Sequence, residues 1–409
     1  MSELTKLYQD AIKSVKNASL FLRVQKIDPK QYIVATHGPA LTKALIEKPE
    51  LLNYIGIYRL NCSHLGKESD LTSLAEYLRT IHKHIPILID LQGPKPRIHE
   101  MSEEIGDKMI MRLGDTFQVT YAPSNSAERF CTYNHLKVCF PEIVEVMQIW
   151  DSVIFDDGKM TATVRGKIQG KATLECTEIQ NWDAKYILKG RKGICVRNRP
   201  LGVDCMTQHD HKSVQFARDV LGFEFVDNLM VSYFSTEADV EHFIDVMRNT
   251  YHYTGNLGGK FETPYAVYSA EQILNKKTLT LAMLGRGDLR VEMDPRAVAN
   301  MHDIQTHFFA VCEKYEVESI CATGFLESML TAEGKVTPEE VHDMQESVLT
   351  GPDHLMLSGE STYGAQAAGC IELETKTQRE MQEKLQLGKM HRKTLPKESL
   401  GELLYIANT

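Results

Sequence analysis

Residues Leu279-Thr280-Leu281-Ala282-Met283-Leu284-Gly285-Arg286-Gly287 form an apolar run of strand length closed by a Gly-Arg-Gly turn. Asp288-Leu289 follows the turn, and the stretch Asp294–Tyr315 carries helical periodicity. A strand that ends in turn residues and hands over to an amphipathic helix is one βα unit. Seven other segments read the same way: Tyr32–Thr36, Gly56–Asn61, Ile85–Asp90, Phe225–Ser232, Gly259–Glu262, Ser319–Thr323 and His354–Ser358. Helical stretches separate them, at Lys67–His84, Thr207–Leu221, Glu237–Thr250, Ser269–Asn275, Pro338–Leu349 and Gly364–Lys384. Eight parallel strands with crossover helices close most simply into a (β/α)8 TIM barrel of the α/β class.

The rhythm breaks once, between Asp90 and the helix beginning near Thr207. Inside that gap Thr116–Tyr121, Cys131–Cys139, Ser152–Ile154, Met160–Ile168 and Ala172–Glu178 read as short strands between Gly, Asp and Asn turns, which predicts a small β-rich lid. The expected division is residues 1–97 and 188–385 for the barrel, 98–187 for the inserted β-barrel-like domain, and 386–409 for a short tail.

Composition fits this division. The chain has 409 residues, enough for a barrel of about 250 plus an insertion. Hydrophobic residues make up 43% and charged ones 25%, which excludes disordered and fibrous classes. A formal charge of −9 with no long basic block argues against nucleic-acid or anionic-membrane partners. The nine cysteines are scattered without a C-x-x-C pair, as in reduced thiols rather than a disulfide framework or zinc site. Residues Met1–Lys30 hold no signal-like apolar run, so a cytoplasmic protein is expected.

In this fold the chemistry lies at the C-terminal ends of the strands. Arg59, Asn61, Ser63, Asp90, Lys95, Arg97, Lys260, Glu262, Arg286, Asp288 and Thr323 fall there. Glu262 and Asp288 end two different strands and offer two hard oxygen ligands, the usual protein share for Mg²⁺. Lys260 stands two residues before Glu262, so an extended strand points both to one face. Arg59 suits a bidentate phosphate contact, and the amides of the Gly285–Leu289 turn suit a carboxylate.

The same residues resemble the pyruvate kinase family. Ile33–Ala40 resembles its ATIGPAS strand, Arg59–His64 its RLNFSHG, and Asp90–Arg97 its DLQGPKIR. Asp156-Asp157-Gly158 resembles the lid DDG, and Lys192-Gly193 the start of KKGVN. Lys260-Phe261-Glu262, Arg286–Leu289, Cys321–Thr323 with Leu326–Met329, and Met356–Glu360 resemble KIE, ARGDLG, ATQMLESM and MLSGE. The ordered set runs from about residue 31 to 380. It implies phosphoryl transfer from phosphoenolpyruvate to ADP, giving pyruvate and ATP under a closing lid.

By matched position the resemblance implies Glu262 and Asp288 as ligands of Mg²⁺ or Mn²⁺, with Lys260 and Arg59 on the transferring phosphoryl group. Thr323 is implied beside the enolate, and Gly287, Asp288, Arg286 and Thr323 at the substrate. His64, Pro39 and Lys192 are implied at the nucleotide. Asn61, Ser63 and Asp90 match the family's monovalent-cation pocket. Lys95 stands where potassium-dependent members carry glutamate, so its ammonium is expected to neutralise Asp90 and make K⁺ unnecessary.

The chain also departs from the family pattern. Arg290 replaces the last glycine of RGDLG, Gly324 the glutamine of ATQM, and Cys195–Asn198 the NLPG stretch. Val336–Glu340 replaces PTRAE, whose arginine joins subunits in the family, so any homo-oligomer is expected to have an altered interface. The family's C-terminal regulatory domain is expected to be missing. A PEP-utilising phosphotransferase is the favoured expectation. The alternatives are a PEP- or pyruvate-binding barrel with a changed acceptor, a degenerate scaffold, and a lyase working on a metal-bound enolate.

Overall fold

The computed structural model describes residues 2–19, 22, 32–65, 71–106, 108–181 and 184–406. In chain order its strands are β1 (Ile33–Thr36), β2 (Ile55–Asn61), β3 (Ile87–Asp90), β4 (Lys108–Arg112), β5 (Thr116–Tyr121), β6 (His135–Val138), β7 (Ser152–Phe155), β8 (Met160–Ile168), β9 (Lys171–Ile179), β10 (Lys185–Lys189), β11 (Ile194–Val196), β12 (Asn228–Ser232), β13 (Asn256–Phe261), β14 (Leu281–Gly285), β15 (Glu318–Ala322) and β16 (His354–Leu357). Eight of them close a parallel barrel in the order β1-β16-β15-β14-β13-β12-β3-β2.

The barrel strands are buried on both faces, as a parallel sheet covered by helices requires. Val34, Ile57, Leu88, Met230, Leu281, Met283, Ile320 and Met356 pack together inside. A larger layer, including Leu78, Phe261, Phe308 and Leu357, joins the strands to the surrounding helices. Strand Leu279–Gly287 is shorter than expected because Gly285 caps the helix Arg286–Glu292, so Asp288 stands in that helix's first turn. The predicted helix Lys67–His84 appears as Leu71–His82, and its first residues lie outside the described part.

The lid has its own core, built from Ile98, Phe117, Leu136, Phe155, Leu174, Leu188, Ile194 and Val196 among others. Six of its strands form one sheet ordered β11-β7-β8-β9-β5-β6, and β10 pairs with β4. The lid core therefore runs past residue 187. β4 and β10 are short and flanked by charged residues, and β11, though wholly apolar, is only three residues long, so none stands out in sequence and cross-strand pairing completes them.

Both ends of the described chain pack on the barrel. Glu3–Ala18 is a helix with Tyr8, Ala11, Ile12 and Val15 buried, and the tail contains a short helix Leu400–Leu404 with Leu403 and Leu404 buried. All nine cysteines are free. No described helix is long and apolar enough to cross a membrane.

Candidate active site

Strand register decides which side chains share the barrel rim. Asn61 lies opposite Asp90, Ser232 opposite Lys260, and Gly285 opposite Ala322. A cavity of about 450 Å³ opens where these ends converge. Asn61, Ser63, Asp90, Lys95, Arg97, Lys260, Glu262, Gly287, Asp288 and Thr323 all line it, so most of the residues singled out from sequence meet in one place.

Its floor is charged and largely buried. Lys260 Nζ stands 2.5 Å from Glu262 Oε2, an ion-pair contact without hydrogen-bond alignment, and Oε2 has no hydrogen-bond partner. Glu262 Oε1 accepts the Tyr233 amide at 3.1 Å. Burial pushes the Glu262 carboxyl up, against the pull of Lys260 and with the repulsion of Asp288. Burial also opposes ionisation of Asp288, but Lys95 and Lys260 outweigh it and hold that carboxyl below its usual range. Lys260 is itself kept charged because Glu262, Asp90 and Asp288 overcome its desolvation. Two facing carboxylates, one with a buried oxygen held by the Lys260 ion pair without an aligned hydrogen bond, fit a hard divalent cation that takes two protein oxygens and keeps its other positions for water and substrate.

Lys95 does not follow its expectation. Its ammonium bonds to Asp288 and lies 3.3 Å from Asp157 Oδ1 of the lid, rather than on Asp90. The Gly93 turn sets this direction. Gly93 has φ +68°, an added Cβ would stand 2.2 Å from the Ser232 carbonyl, and its amide donates to Asp210 Oδ1 at 3.1 Å. Asp90 is already engaged by Arg59, with Nε at 2.7 Å and Nη2 at 2.6 Å from Oδ2, and by the Ser232 hydroxyl at 2.7 Å. Arg59 also donates to Thr36 Oγ1 at 2.8 Å. Its guanidinium is spent inside the barrel and does not line the cavity, contrary to the phosphate contact expected of it.

Arg286 is likewise turned away from the cavity. It donates to Asp343 at 2.9 and 3.1 Å, to Ser347 at 3.1 Å and to the Thr323 carbonyl at 2.6 and 3.1 Å, and lies over the Phe325 ring. It is a clamp between β14, β15 and the helix Pro338–Leu349 rather than a substrate contact. The turn amide expected to be bare is also occupied, since Gly287 N–H donates to Thr323 Oγ1 at 3.0 Å. Thr323 holds φ +77°, a costly conformation for a β-branched residue, and such strain collects where side-chain placement matters.

A second cavity, of about 430 Å³, adjoins the first through Asn61 and Ser358, and Pro39 lines it with His37 and Tyr363. The His64 side chain lies outside the described part of the structure. Lys192 lines neither cavity. It pairs with Asp156 Oδ1 at 2.8 Å, and Asp156 also takes Lys159 and Tyr186. Asp157, Gln92, Glu327 and Ser358 line the first cavity without having been expected there. All four had a local signal in a quoted motif, Asp157 in the Asp156-Asp157-Gly158 turn, Gln92 in Asp90–Arg97, Glu327 in Leu326–Met329 and Ser358 in Met356–Glu360, where it also ends a predicted strand.

Comparison with known proteins extends over most of the chain. A family model for the barrel domain of pyruvate kinase matches residues 28–371. The chain is 30% identical over 339 residues to a pyruvate kinase of Methylorubrum extorquens, covering 81% of this chain and 64% of that one. It is 25% identical over 347 residues to a Staphylococcus aureus pyruvate kinase, covering 82% and 54%. It is 27% identical over 323 residues to one of Borreliella burgdorferi, covering 78% and 62%. The chain thus spans between about half and two thirds of these relatives' length. A crystal structure of a pyruvate kinase from Cryptosporidium parvum shares the fold, with a TM-score of 0.72 at 20% identity, covering 88% of this chain and 71% of that one.

Proposed function

The chain belongs to the pyruvate kinase family, and from that premise we propose that it moves the phosphoryl group of phosphoenolpyruvate to a nucleoside diphosphate, ADP first among them. The carrying observation is the pair of adjoining cavities. One has Lys260, Glu262, Asp288 and Thr323 in its wall, the other has Pro39, and Asn61 and Ser358 stand between them. In-line transfer needs donor and acceptor on either side of one phosphoryl group, with positive charge around it.

In this proposal Glu262 and Asp288 hold Mg²⁺ or Mn²⁺, which when bound neutralises charge on phosphoryl oxygens. Lys260 is fixed by its ion pair and turned to the cavity, where it stabilises negative charge on the group in transit. Such preorganised charge is worth most in a desolvated site. The ester P–O bond breaks, the phosphoryl group joins a terminal oxygen of the diphosphate, and the enolate left behind takes a proton at its methylene carbon to become pyruvate. Thr323 stands next to the Gly287 amide on the enolate side. Lys192 reaches the nucleotide from the lid once it releases Asp156, and Lys95, which lines the reaction cavity on Asp288 and Asp157 rather than on Asp90, supplies a tethered positive charge there in place of K⁺.

One observation favours a second reading, an anion-binding barrel without transfer: the Lys95 ammonium sits on Asp288, the carboxylate proposed for the metal. Direct pyruvate detection with Mg²⁺, phosphoenolpyruvate and a panel of nucleoside diphosphates separates the two. Pyruvate formed with at least one diphosphate supports transfer. No pyruvate with any of them, alongside intact phosphoenolpyruvate binding, supports the second reading.

A further inference from the structure

A third cavity, of about 710 Å³, lies on the seam between lid and barrel and is larger than the reaction cavity beside it. The two share Asp157, Arg290 and Val291 as a common wall. Arg290 follows the Asp288 turn on the barrel, and Arg197 leads out of lid strand β11. Among the described residues neither guanidinium has a hydrogen bond or ion pair; Arg290 is exposed on the cavity wall, whereas Arg197 is half-buried with its Nε buried and without a partner. A buried guanidinium N–H left unbonded costs free energy, and planar guanidinium pairs match phosphate and carboxylate oxygens.

Of the acidic groups nearby, Asp294 is held below the usual carboxylate range mainly by Arg296 and only in the smallest part by the charge of Arg197. Asp157 is held by Lys95, Asp294 is bonded by the Arg296 guanidinium at 2.8 and 2.9 Å, and Glu178 is exposed on the rim. The lower wall, with Val291, Met293, Pro295 and Val298, offers apolar surface for a carbon skeleton. The cavity exceeds the needs of a lone oxyanion, and its two cations come from opposite sides of the seam.

We infer that this cavity is a second anion site, taking a phosphate- or carboxylate-bearing small molecule that bridges Arg197 and Arg290 and binds separately from phosphoenolpyruvate. Because Arg290 also borders the reaction cavity, occupation ties the lid return to the helix that carries Asp288. The site stands on its own geometry and does not require the transfer reaction.

Calorimetric titration of the full chain with inorganic pyrophosphate in magnesium-free buffer tests it. Arg197→Gln and Arg290→Gln, on opposite walls, should each weaken binding about tenfold, the loss of one charge-assisted contact. Lys260→Met and Lys192→Gln should leave it unchanged. Melting temperatures confirm that each variant is folded, and either arginine variant alone suffices if the other is not. A tricarboxylate titrated in parallel distinguishes phosphate-bearing from carboxylate-bearing occupants by which binds more tightly. Equal affinity in wild type and both arginine variants would overturn the site. So would loss confined to Lys260→Met, which would place the anion in the reaction cavity and leave the proposed function standing.

Discussion

The barrel floor and the lid seam place charged residues by different means. On the floor, Lys260 and Glu262 stand at the end of β13, Asp288 follows β14, and their positions derive from parallel register among strands buried on both faces. On the seam, Asp156, Asp157, Arg191 and Asn198 all hold positive φ, and each ion pair they neighbour has one partner open to solvent, Lys192 at 35% and Asp157 at 63% exposure. The floor is a fixed constellation, whereas the seam is held by contacts that can exchange partners. Damage should therefore be severe on the floor and graded on the seam.

The largest effect falls on the floor carboxylates. Glu262→Gln or Asp288→Asn should lower pyruvate formation by about 10³-fold while leaving the melting temperature near that of the wild type, because a two-ligand metal site has little redundancy. Retained turnover together with retained Mn²⁺ affinity in both variants would break the contrast. On the lid, Lys192→Gln should raise the nucleotide KM about tenfold, the cost of one charge-assisted contact, and leave the phosphoenolpyruvate KM unchanged. A loss as large as that of the floor variants would show that the lid tolerates change no better than the barrel does.

Smaller still is the monovalent-cation response. Wild-type turnover should be equal in K⁺ and Na⁺ buffers, with K⁺ activation appearing in Lys95→Glu. Strong activation of the wild type would remove the tethered-cation role from Lys95.

The smallest effect concerns stability where the two regions join. Burial, with repulsion from Asp288, pushes the Glu292 carboxyl up to about 8 despite its hydrogen bond from Tyr233. The folded chain thus holds a proton there that an unfolded chain releases near 4.5. Its contribution to stability is full below that value and declines as pH rises towards about 8. Urea midpoints of Glu292→Gln should fall less between pH 5 and 8 than those of wild type, and an equal slope would contradict the assignment.

This contrast also explains what could be read from the sequence. All eight barrel strands show as apolar runs ending in turn residues, and Lys260, Glu262, Asp288, Asn61, Asp90 and Thr323 were legible because strand ends fix their location. Direction was not legible. Arg59 and Arg286 occupy the expected positions but spend their guanidiniums on Asp90, Thr36, Asp343 and Ser347, partners far away in sequence. Lys95 shares that fate through the Gly93 turn. In the lid, β4 and β10 escaped because each is short, flanked by charged residues, and exists through the other.

Phosphorus NMR of one reaction mixture, containing the chain, Mg²⁺, phosphoenolpyruvate and ADP, tests the central claim most directly. The account predicts that the enol-phosphate resonance declines as a γ-phosphate resonance grows in equal amount. An unchanged enol-phosphate signal, or its conversion to inorganic phosphate alone, would contradict it.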